Sequence, residues 1–538
     1  MKTSVELQQF KKCVLLFMAG IICSGLAYAL YVIDPVRLII EHHLQMAPGT
    51  LAFGLWKKPP IDVYLKVYIF NITNPKEFLN REEDLKLQEV GPYVYQERLE
   101  NKNVTWNENG TMTYSPKRTV FYVPEMSVGN PKKDIVTVPN VPILGVSSAL
   151  HDKGFLVNYP LTQLANLMGA EPILNISVYD YLWGYNDPLI KLAGNIVPSF
   201  VNFQKFGLLD RMYDEGDNVI NMNIKRNKNM TEENGRYLSI ETYNGSPGLS
   251  NWGYEEQYGN VTPPENTVCN TIHGATEGTL FPTNLDKNAV FRIFRKAFCR
   301  TLPIVFKKET ITADGIPVYQ YGFADDFLDP PDKNPENLCY CRKNEKCLKK
   351  GLSNLTPCYY NIPAAVSLPH FLDADPSLMK GIQGLKADPE KHRTTIYLQP
   401  QMGIPIEVHS RVQTNLIMHD THYNPKIAAF NGLTLPIIWT DLLIPELPSD
   451  LLWMIKMGVN IGPKIMMAFI CILAITGAGL ISLSMVGALW VLNQQQQEDE
   501  NGRRDSCDLR IPLGYGQYTG IRILPAIKKI TSRTDLFV

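Results

Sequence analysis

Two long apolar runs dominate the hydrophobic pattern of the chain. Residues 13–33 form 21 positions without a charge and residues 465–492 form 28; crossing about 30 Å of hydrocarbon takes roughly 20. Each run predicts a transmembrane helix. A cleaved signal peptide is the rival reading of the first, because Ala27-Tyr28-Ala29 has the small-x-small form of a cleavage site. A signal core is only about 7–15 residues long, which favours an uncleaved anchor. The second run gives way to QQQQEDE, as a membrane exit does. Lys2, Lys11 and Lys12 precede the first run, so the positive-inside rule places residues 1–12 in the cytosol. The second span returns residues 493–538 to the same side and leaves residues 34–463 outside as one large ectodomain.

Inside that ectodomain the period changes. In DVYLKVYIF, Val63, Leu65, Val67 and Ile69 share one parity while Asp62, Tyr64, Lys66 and Tyr68 hold the other. This alternation predicts a half-buried strand. TIYLQPQMGIPIEV alternates on both sides of Pro400 to Gly403 and predicts a hairpin. Between residues 150 and 210, Leu161, Leu164, Leu167 and Met168 follow helical spacing. The expected class is an α+β ectodomain, mainly an antiparallel sheet with a helical insertion. Its size leaves two lobes as an alternative.

Composition narrows the functional classes. The 538 residues are 45% hydrophobic and 20% charged with a net charge of -1, which argues against disorder and against nucleic acid or another general polyanion as partner. The N-x-S/T sequons begin at Asn71, Asn103, Asn109, Asn175, Asn229, Asn244, Asn260 and Asn354. All lie between the two spans, as expected for a glycosylated exterior segment. Cys269, Cys299, Cys339, Cys341, Cys347 and Cys358 lie there too. An even six in an oxidising compartment predicts three disulfides, with zinc in the C-x-C-x5-C cluster as the rival. Neighbouring Cys339 and Cys341 are expected to have different partners; sequence alone leaves the pairing otherwise open. Cys13 sits where a juxtamembrane cysteine can be palmitoylated, a plain membrane thiol being the equal reading.

No HExxH, GxSxG or P-loop occurs. His273 and His370 have no nucleophile or metal spacing beside them and read as structural, so no catalytic residue, metal or cofactor is expected. In the C-terminal tail, Tyr518-Thr-Gly-Ile521 has the Y-x-x-Φ form read by clathrin adaptors, and Leu536-Phe537-Val538 has the carboxylate form that PDZ domains take by strand addition.

EVGPYVYQE at 89–97, DYLWGYNDPL at 180–189, CNTIHGATEGTLFP at 269–282, SLPHFLDADP at 367–376 and the segment 392–413 closely resemble class B scavenger receptors. The resemblance covers nearly the whole chain. It implies an irregular antiparallel β-barrel pierced by an apolar tunnel, with a helical cap far from the membrane. It also implies a plasma-membrane receptor that binds lipoprotein, fatty acid, sterol ester or carotenoid at the cap and passes lipid to the bilayer, with endocytosis. The pairing it implies is Cys269 with Cys339, Cys299 with Cys358 and Cys341 with Cys347. Family members that take anionic ligands carry lysines on the cap helix; residues 161–175 contain none here, which leaves Lys153, Lys191 and Lys205 as candidate contacts and favours neutral cargo. The insect sensory neuron branch lacks a clear LWGYNDP counterpart. The lysosomal branch carries an acidic dileucine signal that is missing from this tail; endosomal or lysosomal membrane is the second expected location. Adhesion without lipid transport is the rival function, and a continuous apolar tunnel discriminates the two.

Overall fold

A computed structural model describes residues 2–196, 201–213, 218–225, 237–256, 266–341, 346–445 and 447–506. In chain order the helices are α1 (Lys2–Ile33), α2 (Pro35–His43), α3 (Leu51–Lys57), α4 (Pro75–Leu79), α5 (Val141–Ala149), α6 (Phe155–Leu167), α7 (Val178–Trp183), α8 (Pro188–Ile196), α9 (Leu208–Tyr213), α10 (Pro389–His392), α11 (Ser449–Lys456) and α12 (Gly462–Ser506). The strands are β1 (Val63–Ile72), β2 (Leu85–Trp106), β3 (Thr111–Tyr122), β4 (Ile135–Pro139), β5 (Ile173–Ser177), β6 (Ile220–Asn223), β7 (Ile240–Tyr243), β8 (Phe291–Arg295), β9 (Arg300–Ile311), β10 (Pro317–Phe323), β11 (Ser353–Asn354), β12 (Ala364–Ser367), β13 (Ile382–Gln383), β14 (Thr395–Gln399), β15 (Ile404–Ile417) and β16 (Thr434–Ile444). One compact unit spans Asp34–Met466, and the terminal segments form the other.

In the terminal unit, α1 and α12 contain segments long and apolar enough to cross a membrane. They pack on each other through small residues, as membrane helices do. A Cβ on Gly20 would lie 2.9 Å from the Gly477 carbonyl oxygen. Ser484 Oγ donates to the Cys13 carbonyl at 2.7 Å, and Cys13 is buried with its sulfur against Gly487. That packing suits an unmodified thiol.

The central unit is built on a large sheet. Its main path runs β7, β6, β3, β2, β1, β16, β15, β14, β10, β9, β8, and every ladder along it is antiparallel. The period-two reading holds over residues 64–69, where β1 buries Leu65, Val67 and Ile69 and leaves Tyr64, Lys66 and Tyr68 half-buried; it fails at the ends, where Val63 is half-buried and Phe70 buried. The hairpin is also there, with Gln399 opposite Ile404. Gly403 closes it at φ 68°, where a Cβ would strike the Phe281 carbonyl oxygen.

The ladder path does not close strand to strand, but segment 274–276 touches both ends. Gly274 N–H donates to Ile240 O on β7 at 2.9 Å and Ile240 N–H to Ala275 O at 2.7 Å; on the other side Thr276 N–H donates to Arg292 O on β8 at 2.8 Å and Phe294 N–H to Thr276 O at 2.9 Å. Residues of both edges share one apolar cluster with Tyr114 and Met222. The sheet thus curls back on itself as an irregular barrel.

Helices α5 to α9 fall between β4 and β6 as the helical insertion. Val141, Ile143 and Leu144 of α5 and Val178, Tyr181 and Leu182 of α7 join the main core. Asp187 of the LWGYNDP motif is buried and accepts from Leu189 N–H (2.9 Å) and Ile190 N–H (3.2 Å), starting α8. Helix α6 forms where the apolar spacing expects one, and Leu161 and the adjoining Met168 pack against the core, whereas Leu164 and Leu167 do not. It buries Asn158, Thr162 and Ala165, while Leu156 and Leu167 are 86% and 84% exposed. Periodicity located the helix and only part of the side that meets the core.

Candidate functional site

The alternation that makes the strands also hollows the barrel. In β15, Val408, Ser410 and Val412, and in β16, Thr440, Leu442 and Ile444, point into one cavity of about 130 Å³. Nine strands contribute to its lining, and Tyr213 and Met212 of α9 line it from the helical insertion.

A larger cavity of about 420 Å³ is almost wholly apolar, a size within the roughly 300–1,000 Å³ of ligand pockets. Ile39 and Ile40 of α2, Leu55 and Trp56 of α3, Leu451 and Ile455 of α11, and Met402 and Phe281 from the barrel end form its walls. The two cavities share Glu97, Gly278, Phe281, Arg295, Leu442 and Ile444. Helix α2 begins two residues after α1 ends, and α11 ends six residues before α12 begins. Asp34 accepts from Arg37 N–H at 3.2 Å, with Pro35 in the first turn, and sets off α2 at once.

The shared wall carries Glu97 and Arg295, and Arg118 and Glu277 line the smaller cavity. Glu97 and Arg118 pair at 3.1 Å with side chains only 10% and 12% exposed, and Tyr213 donates to Glu97 Oε2 at 2.8 Å. Burial, with Glu97 adding to it, holds the Tyr213 phenol far above its ordinary range, while Arg118 and Arg295 oppose. Burial and Glu277 do the same to Tyr114, again against Arg118 and Arg295. The four charged groups form one electrostatic cluster.

A second polar cluster lies outside this cavity pair. His370 Nε2 is 2.6 Å from Glu89 Oε2, Trp439 Nε1–H donates to the same oxygen at 2.7 Å, and His392 stacks on His370 with ring centres 4.4 Å apart. Glu89, His370 and His392 are close enough to suggest a metal triad. Their hydrogen bonds argue otherwise: His370 Nδ1 accepts from Lys386 N–H at 3.0 Å and His392 Nδ1 from Asp388 N–H at 2.9 Å. A ligating histidine needs a proton on the far nitrogen and an acceptor beside it; here donors occupy both positions, so the triad does not fit a cation.

Burial, then the neighbouring His370, lowers the His392 pKa to about 4. Burial would raise that of Glu89, but the bonds from His370 and Trp439 outweigh it and the net direction is down. In the unfolded chain histidine titrates near about 6.5. Between there and pH 4 the unfolded state binds the extra proton, so acid erodes stability; Glu89 adds in the same direction at lower pH. The melting temperature should fall from pH 7 to pH 5, and His392→Phe should flatten that dependence. An unchanged slope in thermal melts of the variant would refute the assignment.

The cysteines are brought together as Cys269–Cys339, Cys299–Cys358 and Cys341–Cys347. Asn103, Asn109, Asn175 and Asn244 are exposed and Asn71 is half-buried in β1, whereas Asn229 and Asn260 lie outside the described residues. Asn354 is 5% exposed and its Nδ2 lies 3.4 Å from the Tyr340 carbonyl oxygen; the folded chain leaves no room for a glycan there. Lys153, Lys191 and Lys205 are exposed on separate elements, and Lys153 pairs with Asp152 at 3.1 Å. Tyr518, Ile521 and residues 536–538 lie outside the described residues.

Sequence reasoning passed over the lining helices and the charged wall. Signals were present for both: α2 and α11 continue an apolar pattern past each span, and Glu97 shares its parity with the buried Tyr93 and Tyr95.

The profile of the CD36 family matches residues 13–488. Scavenger receptor class B member 1 of Rattus norvegicus is 26% identical over 425 residues, covering 78% of this chain and 79% of its own length. Lysosome membrane protein 2 of Homo sapiens is 30% identical over 385 residues, covering 70% of this chain and 73% of its own.

Proposed function

Since the chain belongs to the CD36 family, whose members are receptors rather than enzymes, we propose that it is a two-pass scavenger receptor that captures lipid cargo and passes it through its barrel to the bilayer. The observation that carries this reading is the apolar cavity of about 420 Å³ walled in part by the helices that adjoin both spans in sequence. Its shared wall with the barrel cavity supports a through passage. The energetics favour such a route. An acyl chain regains about 0.8 kcal/mol per CH₂ kept out of water, so an apolar duct lowers the barrier between donor particle and membrane.

Residues 34–463 form the exterior domain, glycosylated at the exposed sequons, and both tails are cytosolic. The plasma membrane is the primary location. The name of the lysosomal relative supports endosomal and lysosomal membrane as the second, reached by endocytosis if the tail tyrosine binds a clathrin adaptor and the carboxyl terminus a PDZ domain. Cargo meets the helical insertion first, where the outward face of α6, with Phe155, Leu156 and Leu167 exposed, offers apolar rather than cationic contact; Lys153, Lys191 and Lys205 would flank it. Adhesion alone would use that face and leave the cavities without a role.

The test is uptake by cells expressing the protein, with fluorescent cholesteryl ester, fatty acid and carotenoid supplied in parallel. Uptake of at least one cargo above untransfected cells is expected. Surface-expressed protein that raises none of the three would overturn transport and leave adhesion.

A further inference from the structure

The wall shared by the two cavities, together with the rest of the smaller cavity's lining, has a charge balance that bears on which lipids can cross it. We propose that Glu97, Arg118, Glu277 and Arg295 form a filter that admits uncharged lipid and holds back free carboxylates; this rests on the lipid passage proposed above.

Both cavities are otherwise lined mainly by carbon; Glu97 and Arg295 sit where the cavities meet, and Arg118 and Glu277 line the smaller cavity. Two positive and two negative charges cancel. None is left without a partner: Glu97 is held by Arg118 and Tyr213, and the other three have interactions of their own. A carboxylate arriving here finds arginines already engaged and two glutamates that repel it. It must shed its water against that repulsion, and any arginine N–H it reaches belongs to a charge already offset by a glutamate, so burying the ion stays costly unless it takes up a proton first. An ester carbonyl or hydroxyl brings no net charge. It can accept a bond from an arginine N–H without displacing the glutamate, because a guanidinium has five such donors. The filter therefore discriminates by charge at a single polar step in an apolar path, and the lysine-free segment 161–175 is consistent with cargo of the same kind.

Full-length protein in lipid nanodiscs can be titrated with a fluorescent sixteen-carbon fatty acid and its methyl ester at neutral pH, two probes with one chain and different charge. Wild type should prefer the ester at least tenfold. Glu97→Gln and Glu277→Gln each leave the ring one positive charge in excess, and each should tighten binding of the acid by about tenfold, the scale of one added attraction across a partly buried site, with the ester unchanged. Glu97→Gln keeps a hydrogen-bonding side chain for Tyr213, and Glu277→Gln gives an independent reading if the first variant is retained in the cell. Equal wild-type affinity for the two probes, or glutamine variants that leave the ratio where it was, would overturn the filter while leaving the passage standing. Wild type that binds neither probe would overturn the passage itself.

Discussion

Replacing Leu442 by tryptophan is expected to reduce lipid uptake to the level of untransfected cells while leaving the amount of protein at the surface unchanged. Leu442 lies in β16 and borders both cavities, so a bulky ring there obstructs the larger cavity, the smaller one and the boundary between them. Overfilling a packed core costs about 1–3 kcal/mol, but here the extra volume enters open space and the fold should tolerate it. Ile311→Trp, at an exposed position of β9, supplies the control for a new surface tryptophan and should transport normally. If the Leu442 variant takes up lipid as wild type does, cargo reaches the bilayer by another route and the barrel is a scaffold. If both variants fail, the cause is not obstruction.

The second large effect concerns the cysteines. The Cys299–Cys358 bond joins residues 59 apart in sequence, and loop-closure entropy alone assigns it about 4 kcal/mol. A domain's whole stability is about 5–15 kcal/mol. Cys299 is also buried, with Leu355 and Val366 in its cluster and Trp252 Nε1–H donating to its carbonyl at 2.8 Å. Changing both cysteines to serine should retain the protein in the endoplasmic reticulum and abolish surface staining. The Cys341–Cys347 bond spans only 6 residues, for which the same reasoning gives about 2 kcal/mol. Its double serine variant should reach the surface at reduced level with a lower melting temperature. Equal loss from both pairs would mean that loop entropy is not what the bonds contribute.

The sequence was most readable where one physical demand acted alone. The spans stand out because lipid requires an unbroken apolar run, and β1 because a half-buried strand requires strict alternation. Legibility faded where two demands competed. The apolar residues of α6 follow helical spacing, yet Leu161 and Ala165 meet the core while Leu156 and Leu167 are exposed, since an exposed apolar face and a buried one use the same residue types. Glu97, on the buried parity of β2, looks like an outlier until the sheet curls and turns that parity toward a cavity instead of a packed interior. The motif at 269–282 served as a family marker, but its reasons are local: Cys269 anchors it, residues 274–276 bond to both sheet ends, and Glu277, Gly278 and Phe281 line the cavities. Those reasons depend on contacts with strands far away in the chain, which no local pattern carries. Gly91 in EVGPYVYQE is of the same kind; a Cβ there would lie 2.7 Å from the Val67 carbonyl oxygen, where β1 and β2 shift register.

The segment that bonds to β7 and β8 also bears on how such molecules behave when crowded. A sheet with two free ends presents rows of unpaired amides and carbonyls that can recruit the sheet of a neighbour, the usual start of edge-to-edge aggregation. Here residues 274–276 occupy hydrogen-bonding positions at both ends, so neighbours at high density on a membrane find little template for strand exchange at those positions.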